Sequence, residues 1–192
     1  MLKTLLGTAL FAALSASALA APQRVEIDTS HTRVLYFINH LGFSEMYGDF
    51  GGYQIDLNLD TADLTQSSVK VTIDTASVDM RHAGLNDHLK GADFFNVAQF
   101  PNMQFESTGV TQTGEGKLAV AGNLTLLGVT KPVTLDVTVN KIGEHPMRKT
   151  PWVGFGATAT IKRSDFGLSY AVPAVGDEVN IQISLEGGLK AE

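Results

Sequence analysis

The sequence predicts an all-β protein: one antiparallel β-barrel of about eight strands with a short helix capping one end. Three observations carry that prediction. Apolar and polar residues alternate with period two in segment after segment, Gly, Asn, Asp or Pro punctuates the gaps between segments, and only residues 82–100 switch to helical spacing.

The chain opens with Met1, Leu2 and Lys3, an apolar run from Leu5 to Leu14, and small residues ending in Ala18-Leu19-Ala20. A positive start, a short apolar stretch and an A-x-A-like site together make a secretory signal peptide, residues 1–20, cleaved after Ala20. The run is too short for a resident membrane helix, and no later stretch reaches the ~18 apolar residues that a span needs. The mature domain, residues 21–192, then has 172 residues with 13 basic against 20 acidic side chains, a formal charge of −7. That length suits one domain with a core of its own. Without cysteine, neither thiol catalysis nor a thiolate metal site is available. Without a basic stripe, nucleic acid is not an expected partner.

The strands follow in order. Residues 33–41 make the first candidate. In 54–60, Ile55, Leu57 and Leu59 oppose Gln54, Asp56, Asn58 and Asp60, because successive side chains on a strand point to opposite faces. Val69, Val71 and Ile73 oppose Lys70, Thr72 and Asp74. Residues 103–112 and 117–127 flank the turn Thr113-Gly114-Glu115-Gly116 as a hairpin. Val133, Leu135, Val137 and Val139 oppose Thr134, Asp136, Thr138 and Asn140; 152–162 follows an exposed loop at 143–151; and Val179, Ile181, Ile183 and Leu185 oppose Asn180, Gln182, Ser184 and Glu186. A sheet with one dry face must pack on a second sheet or curl on itself, and alternation does not distinguish the two. Gly48, Gly51, Gly52, Gly154 and Gly156, within or beside strands, favour strong bending and hence the barrel. In 82–100, Leu85, His88 and Leu89 stand at helical spacing, Gly91 is a stop, and Phe94-Phe95 precedes Phe100-Pro101: a short helix and an aromatic plug across one end.

The search for chemistry returns little. His31, His40, His82, His88 and His145 show no H-E-x-x-H or comparable ligand spacing, and His82 and His88 are six apart, so no metal site is expected. His31 and His40, bracketing a strand, read as hydrogen-bonded rim residues. No G-x-S-x-G elbow occurs. Gly154-Phe155-Gly156-Ala157-Thr158-Ala159 fits G-x-G-x-x-A but runs into a strand rather than opening a helix, so the phosphate-binding mechanism is missing. Asn123-Leu124-Thr125 is a glycosylation sequon inside a strand. Asp177-Glu178 reads as solvated turn charge, and Arg163 with Asp165 as a pair that satisfies backbone groups where a strand ends.

Several stretches, in order, span nearly the whole mature chain: Asp28-Thr29-Ser30-His31, His40-Leu41-Gly42-Phe43-Ser44, Gly48-Asp49-Phe50, His88-Leu89-Lys90-Gly91-Ala92-Asp93-Phe94-Phe95 with Phe100-Pro101, 124–133 around Gly128-Val129-Thr130-Lys131-Pro132, Arg163-Ser164-Asp165-Phe166-Gly167 and Gly176-Asp177-Glu178-Val179. In these the chain resembles the YceI-like family of exported lipocalin-like proteins. The resemblance implies a barrel that binds polyisoprenoids, isoprenoid quinones or long-chain lipid-like molecules, usually in the periplasm, with no catalytic residues and no cofactor. The chain departs from the family pattern at Leu85-Asn86, where an Arg-Asp pair commonly precedes the histidine, and at Thr32, Asn96 and Asn123.

The resulting expectation is a non-enzymatic protein that binds, and transports or stores, a long apolar ligand in its lumen. An apolar chain of about 16 carbons, buried at roughly 0.8 kcal/mol per methylene, gains on the order of 12 kcal/mol before the cost of immobilisation. The dry phase of the strands nominates Phe37, Leu57, Val71, Ile73, Phe105, Val133, Leu135, Ile181 and Ile183 as lumen residues, with His88, Phe94, Phe95 and Arg163 at the cap or mouth. The partner is an isoprenoid or lipid-like small molecule; transient membrane contact is compatible with this, and no oligomeric state follows. Two alternatives remain: a histidine-dependent metalloenzyme of the exported compartment, and a stress-related interaction module whose barrel is a solid core.

Overall fold

A computed structural model describes residues 22–190; the signal peptide expected at 1–20 lies outside them. Eleven β segments form one antiparallel sheet: β1 (Gln23–Ile27), β2 (Arg33–His40), β3 (Ser44–Phe50), β4 (Tyr53–Leu59), β5 (Ser68–Asp74), β6 (Val78–Asp79), β7 (Asn102–Gly114), β8 (Lys117–Leu126), β9 (Val129–Glu144), β10 (Pro151–Lys162) and β11 (Val175–Leu189). Helix α1 (Ala83–Lys90) lies between β6 and β7.

These segments make eight lengths of barrel wall. Both β1 and β2 lie on one edge of β11, with Val25 opposite Leu189 and Leu35 opposite Gln182. On their other side β1 pairs with β4 and β2 with β3, so β1–β2 and β3–β4 are one long hairpin, each arm interrupted once. The arm β5–β6 repeats this, pairing with β4 and then β3. From β7 to β11 each strand pairs with its chain neighbour, and β11 returns to β1 and β2 to close the ring. Twelve residues in β10, at ~3.3 Å per residue and a tilt of about 40°, give a barrel about 30 Å tall.

The eight strands expected from the sequence correspond one to one with these lengths. Missing from that reading are β1, β3 and β6, the other halves of the three interrupted arms. The interruptions lie side by side. Asp28 breaks the first arm: its carboxylate accepts from the backbone N–H and hydroxyl of Ser30 and contacts His31 Nδ1 at 3.0 Å. Gly51-Gly52 breaks the second, and a 3₁₀ turn at Thr75–Ser77, capped by Asp74, breaks the third. Asp74 N–H donates to Gly52 carbonyl, and Tyr53 hydroxyl to Thr32 carbonyl, so the breaks are stitched into one corner across three strands. Gly48, just beyond that corner, is obligatory for space, since a Cβ there would lie 2.5 Å from both Tyr36 Oη and Met80 Sδ.

Two buried clusters hold the wall. One gathers Val25, Leu57, Leu59, Val153, Phe155 and Leu185 at the end where β1 begins; the other gathers Val34, Phe50, Val78, Met103, Leu126 and Phe166 in the half that carries α1. Ile183 packs against both clusters, and Ile73 and Val133 pack against the second.

Candidate functional site, the barrel lumen

A cavity of about 560 Å³ occupies the lumen and runs from α1 and the β10–β11 loop to the turn at Leu64–Gln66 near the opposite end. Its size is that of a small-molecule site. Val71, Ile73, Val133, Leu135, Ile181 and Ile183 all line it and are only half-buried, although each points away from bulk water. In a close-packed core such residues would touch neighbours on every side. Here their free surface faces the cavity, so the barrel is not the solid core that the interaction-module alternative requires.

Of the nine lumen residues expected from the sequence, those six line the cavity together with Leu57 and Phe105, which are buried. Phe37 does not. It lies on the outer face, its ring 6.0 Å from that of Tyr47, beside Thr158, Asn180 and Gln182. The phase of β2 is the opposite of the one assumed, with Val34, Tyr36 and Ile38 inside. Both phases of Arg33–His40 are apolar in the middle, so alternation misleads there; the polar ends Arg33 and Asn39, in phase with Phe37, were the usable signal. Tyr36, Phe50, Met103 and Phe155 are further lining residues that sequence reasoning missed.

The four cap residues come together at one end. Phe95 packs edge-on against Phe50 at 5.5 Å, and His88, Phe94 and Tyr170 form an aromatic trio with centroids 4.9 to 5.8 Å apart. Helix α1 is capped by His82, whose Nδ1 accepts from Leu85 N–H, and pinned by Asn86, which accepts from Met80 N–H and donates to Asp79. Asn86 thus supplies the polar contacts that hold the cap. Leu85, His88 and Leu89 line the cavity, yet no residue of α1 is buried. Such a helix, two turns long and without buried side chains, depends on its tertiary anchors.

Polar groups are few along the lumen. Tyr36 hydroxyl donates to Met80 Sδ at 2.8 Å; burial pushes its pKa above the ordinary phenol value, and the Asp49 and Asp79 carboxylates add to the rise. Arg163 borders the cavity but is 3% exposed, and its guanidinium donates to the carbonyls of Leu168, Val175 and Gly176 at 2.8 to 3.0 Å. It holds the β10–β11 loop in shape, as expected of a backbone-satisfying residue. The expected companion, Asp165, is exposed and makes no such bond; Asp177 does the work instead, accepting from Ser164 N–H and Ser164 hydroxyl at 2.9 and 2.8 Å. Those bonds hold its carboxyl below the usual range.

The histidines are dispersed: His82 caps α1, His88 joins the aromatic trio, and His145 Nδ1 accepts from the backbone of Met147 and Arg148. Among the described residues one group of possible metal ligands converges, Asp28, His31 and Glu186, on the outer surface. Asp28 already accepts from Ser30 and contacts His31, chiefly the Ser30 bond holding its carboxyl well below the ordinary value. A cation there would have to displace the contacts that shape the β1–β2 turn.

Comparison with known proteins agrees with this geometry. A family model described as the YceI-like domain matches residues 26–187. A UPF0312 protein of Serratia proteamaculans is 42% identical over 191 residues, 96% of each chain. The crystal structure of BcnA from Burkholderia cenocepacia superposes with a TM-score of 0.77 at 28% identity, covering 84% of this chain and 99% of that one. A domain of Saccharophagus degradans described as polyisoprenoid binding shares the fold, with a TM-score of 0.65 at 13% identity over 89% of this chain and all of that one.

Proposed function

The chain belongs to the YceI-like family, and from that premise we propose that it binds a long, apolar, chain-like molecule inside its barrel. One observation carries the proposal: inward aliphatic residues on several strands, Val71, Val133, Leu135 and Ile183 among them, stay half-buried around a continuous cavity of about 560 Å³. Leaving that surface unfilled forgoes burial worth roughly 25 cal/mol per Å², which an apolar guest recovers. A narrow tunnel through a barrel about 30 Å tall selects a chain over a compact ring system. Polyisoprenoids fit that shape, and the domain of Saccharophagus degradans with the same fold is described as binding them. A polar head group finds partners at the helix end, near His88 and Tyr170, rather than among the aliphatic lining.

The amino-terminal signal peptide supports a place in the periplasm, where such a protein transports or stores its guest between membranes. Solvent extraction of the purified protein followed by mass spectrometry tests the binding reading. A polyprenyl or acyl compound recovered in near-stoichiometric amount is expected; extracts without lipid, from protein that also refuses added prenyl alcohols, would refute it.

A further inference from the structure

We propose that the rim at the helix end docks on a lipid bilayer with neutral head groups, with Phe43 and Leu41 as the anchors that enter it. This rests on the lumen-binding reading above.

The β2–β3 turn carries Phe43 at 90% exposure and Leu41 at 49%. It is rigid: Leu41 N–H donates to Ala174 carbonyl, Phe43 N–H to His40 carbonyl, and Gly42 N–H to Asn39 Oδ1. Leu41 sits at φ +57°, a left-handed conformation in which Gly or Asn is the ordinary choice. Positive φ at Leu41 and Gly42 is what a two-residue hairpin turn needs, and Leu127 and Gly128 repeat it between β8 and β9; what the fold leaves unexplained is the pair of apolar side chains held in water. The bond to Ala174 ties this turn to the loop bearing Tyr170, whose ring meets His88 of α1, and Leu85 is exposed on the same helix.

The occupant follows from continuity with the cavity. His40, Leu85 and Tyr170 belong both to the exposed rim and to the cavity lining, so the lumen surface continues to the outside at this rim. Each methylene that a guest exposes while crossing water multiplies the barrier by about four. A rim seated in the bilayer removes that crossing. Turn and helix carry charges of both signs, Glu45, Asp87 and Lys90, with no basic cluster for anionic lipid. An acidic chain, formal charge −6, favours neutral head groups further.

Flotation of the processed protein, residue 21 onwards, with phosphatidylcholine vesicles tests this, beside uptake of the apolar dye N-phenyl-1-naphthylamine. Phe43→Asp is expected to lower vesicle affinity about tenfold or more while dye uptake is unchanged. Leu41→Gly is expected to weaken docking severalfold without lowering the melting midpoint, since it relieves the left-handed leucine. Met147→Ser is the control: equally exposed, at 85%, but on the β9–β10 loop at the opposite end, it is expected to change nothing. Docking is overturned if the wild type does not float, if Met147→Ser matters as much as Phe43→Asp, or if the Phe43 effect proves to be loss of a dimer in sedimentation. Failure of the wild type to take up dye would instead sink the lumen reading itself.

Discussion

The two ends of the barrel are made differently. Where β1 begins, Val25, Leu59 and Val153 are almost wholly buried and pack with Phe155 and Leu185. At the other end a buried layer around Phe50, Val78 and Phe166 exists, but above it lies a helix with no fully buried residue and a rim that shows Leu41, Phe43 and Tyr170 to solvent. One end therefore carries stability and the other carries access, the division expected when a binding site must open without unfolding its scaffold.

The sharpest way to break that contrast is to compare substitutions at the two ends. Val153→Asp places an unpaired carboxylate at a site 1% exposed and is expected to cost several kcal/mol, about 4 or more, in urea unfolding. Next comes Arg163→Met, which takes the guanidinium bonds from the carbonyls of Leu168 in the β10–β11 loop and of Val175 and Gly176 at the start of β11; a loss of about 2–4 kcal/mol is expected, with raised amide exchange confined to residues 164–176. Gly48→Ala drives a methyl into Tyr36 and Met80 beneath the rim and is expected to cost about 1–3 kcal/mol. Acid acts more gently. Asp177 has a lowered folded pKa through Ser164, so its contribution is complete above the ordinary carboxylate value of 3.8 and is lost as the pH falls below that towards the folded value. Exchange of the Ser164 amide should therefore quicken below about pH 4 before the β1 end responds. Smallest is Leu85→Ala, on the exposed helix face: a change within about 0.5 kcal/mol in stability, read beside a clear change in the rate of dye exit. Equal destabilisation by Val153→Asp and Leu85→Ala would erase the contrast.

Sequence reading found most of this architecture and misplaced instructive parts of it. Strands with one wet face, such as Gln54–Asp60 or Val179–Glu186, declare their phase because polar residues must face water. Strand β2 does not, since both its faces are apolar in the middle, and alternation alone points Phe37 inward where the structure turns it out. The arms β1 and β6 escape notice because five and two residues are too brief for a period to show, and β3, as long as β4, because Gly48 interrupts its inward apolar phase and Tyr47 puts an aromatic on the outward one. Cap residues were legible from helical spacing and a glycine stop. That Asp177, and not Asp165, satisfies backbone where β10 ends was not, because it depends on how β11 returns beside β10. Phe43 was visible as a residue but not as a site; its exposure is a property of the closed barrel.

Lumen binding is tested most directly by affinity against chain length, measured for a series of linear alcohols by displacement of the bound dye. Affinity is expected to tighten by up to about fourfold per added methylene, then level off once the chain fills the tunnel, and Leu135→Trp, which narrows the lumen, should bring the plateau to shorter chains. Affinity that ignores chain length, or that Leu135→Trp leaves untouched, would contradict a guest held inside the barrel.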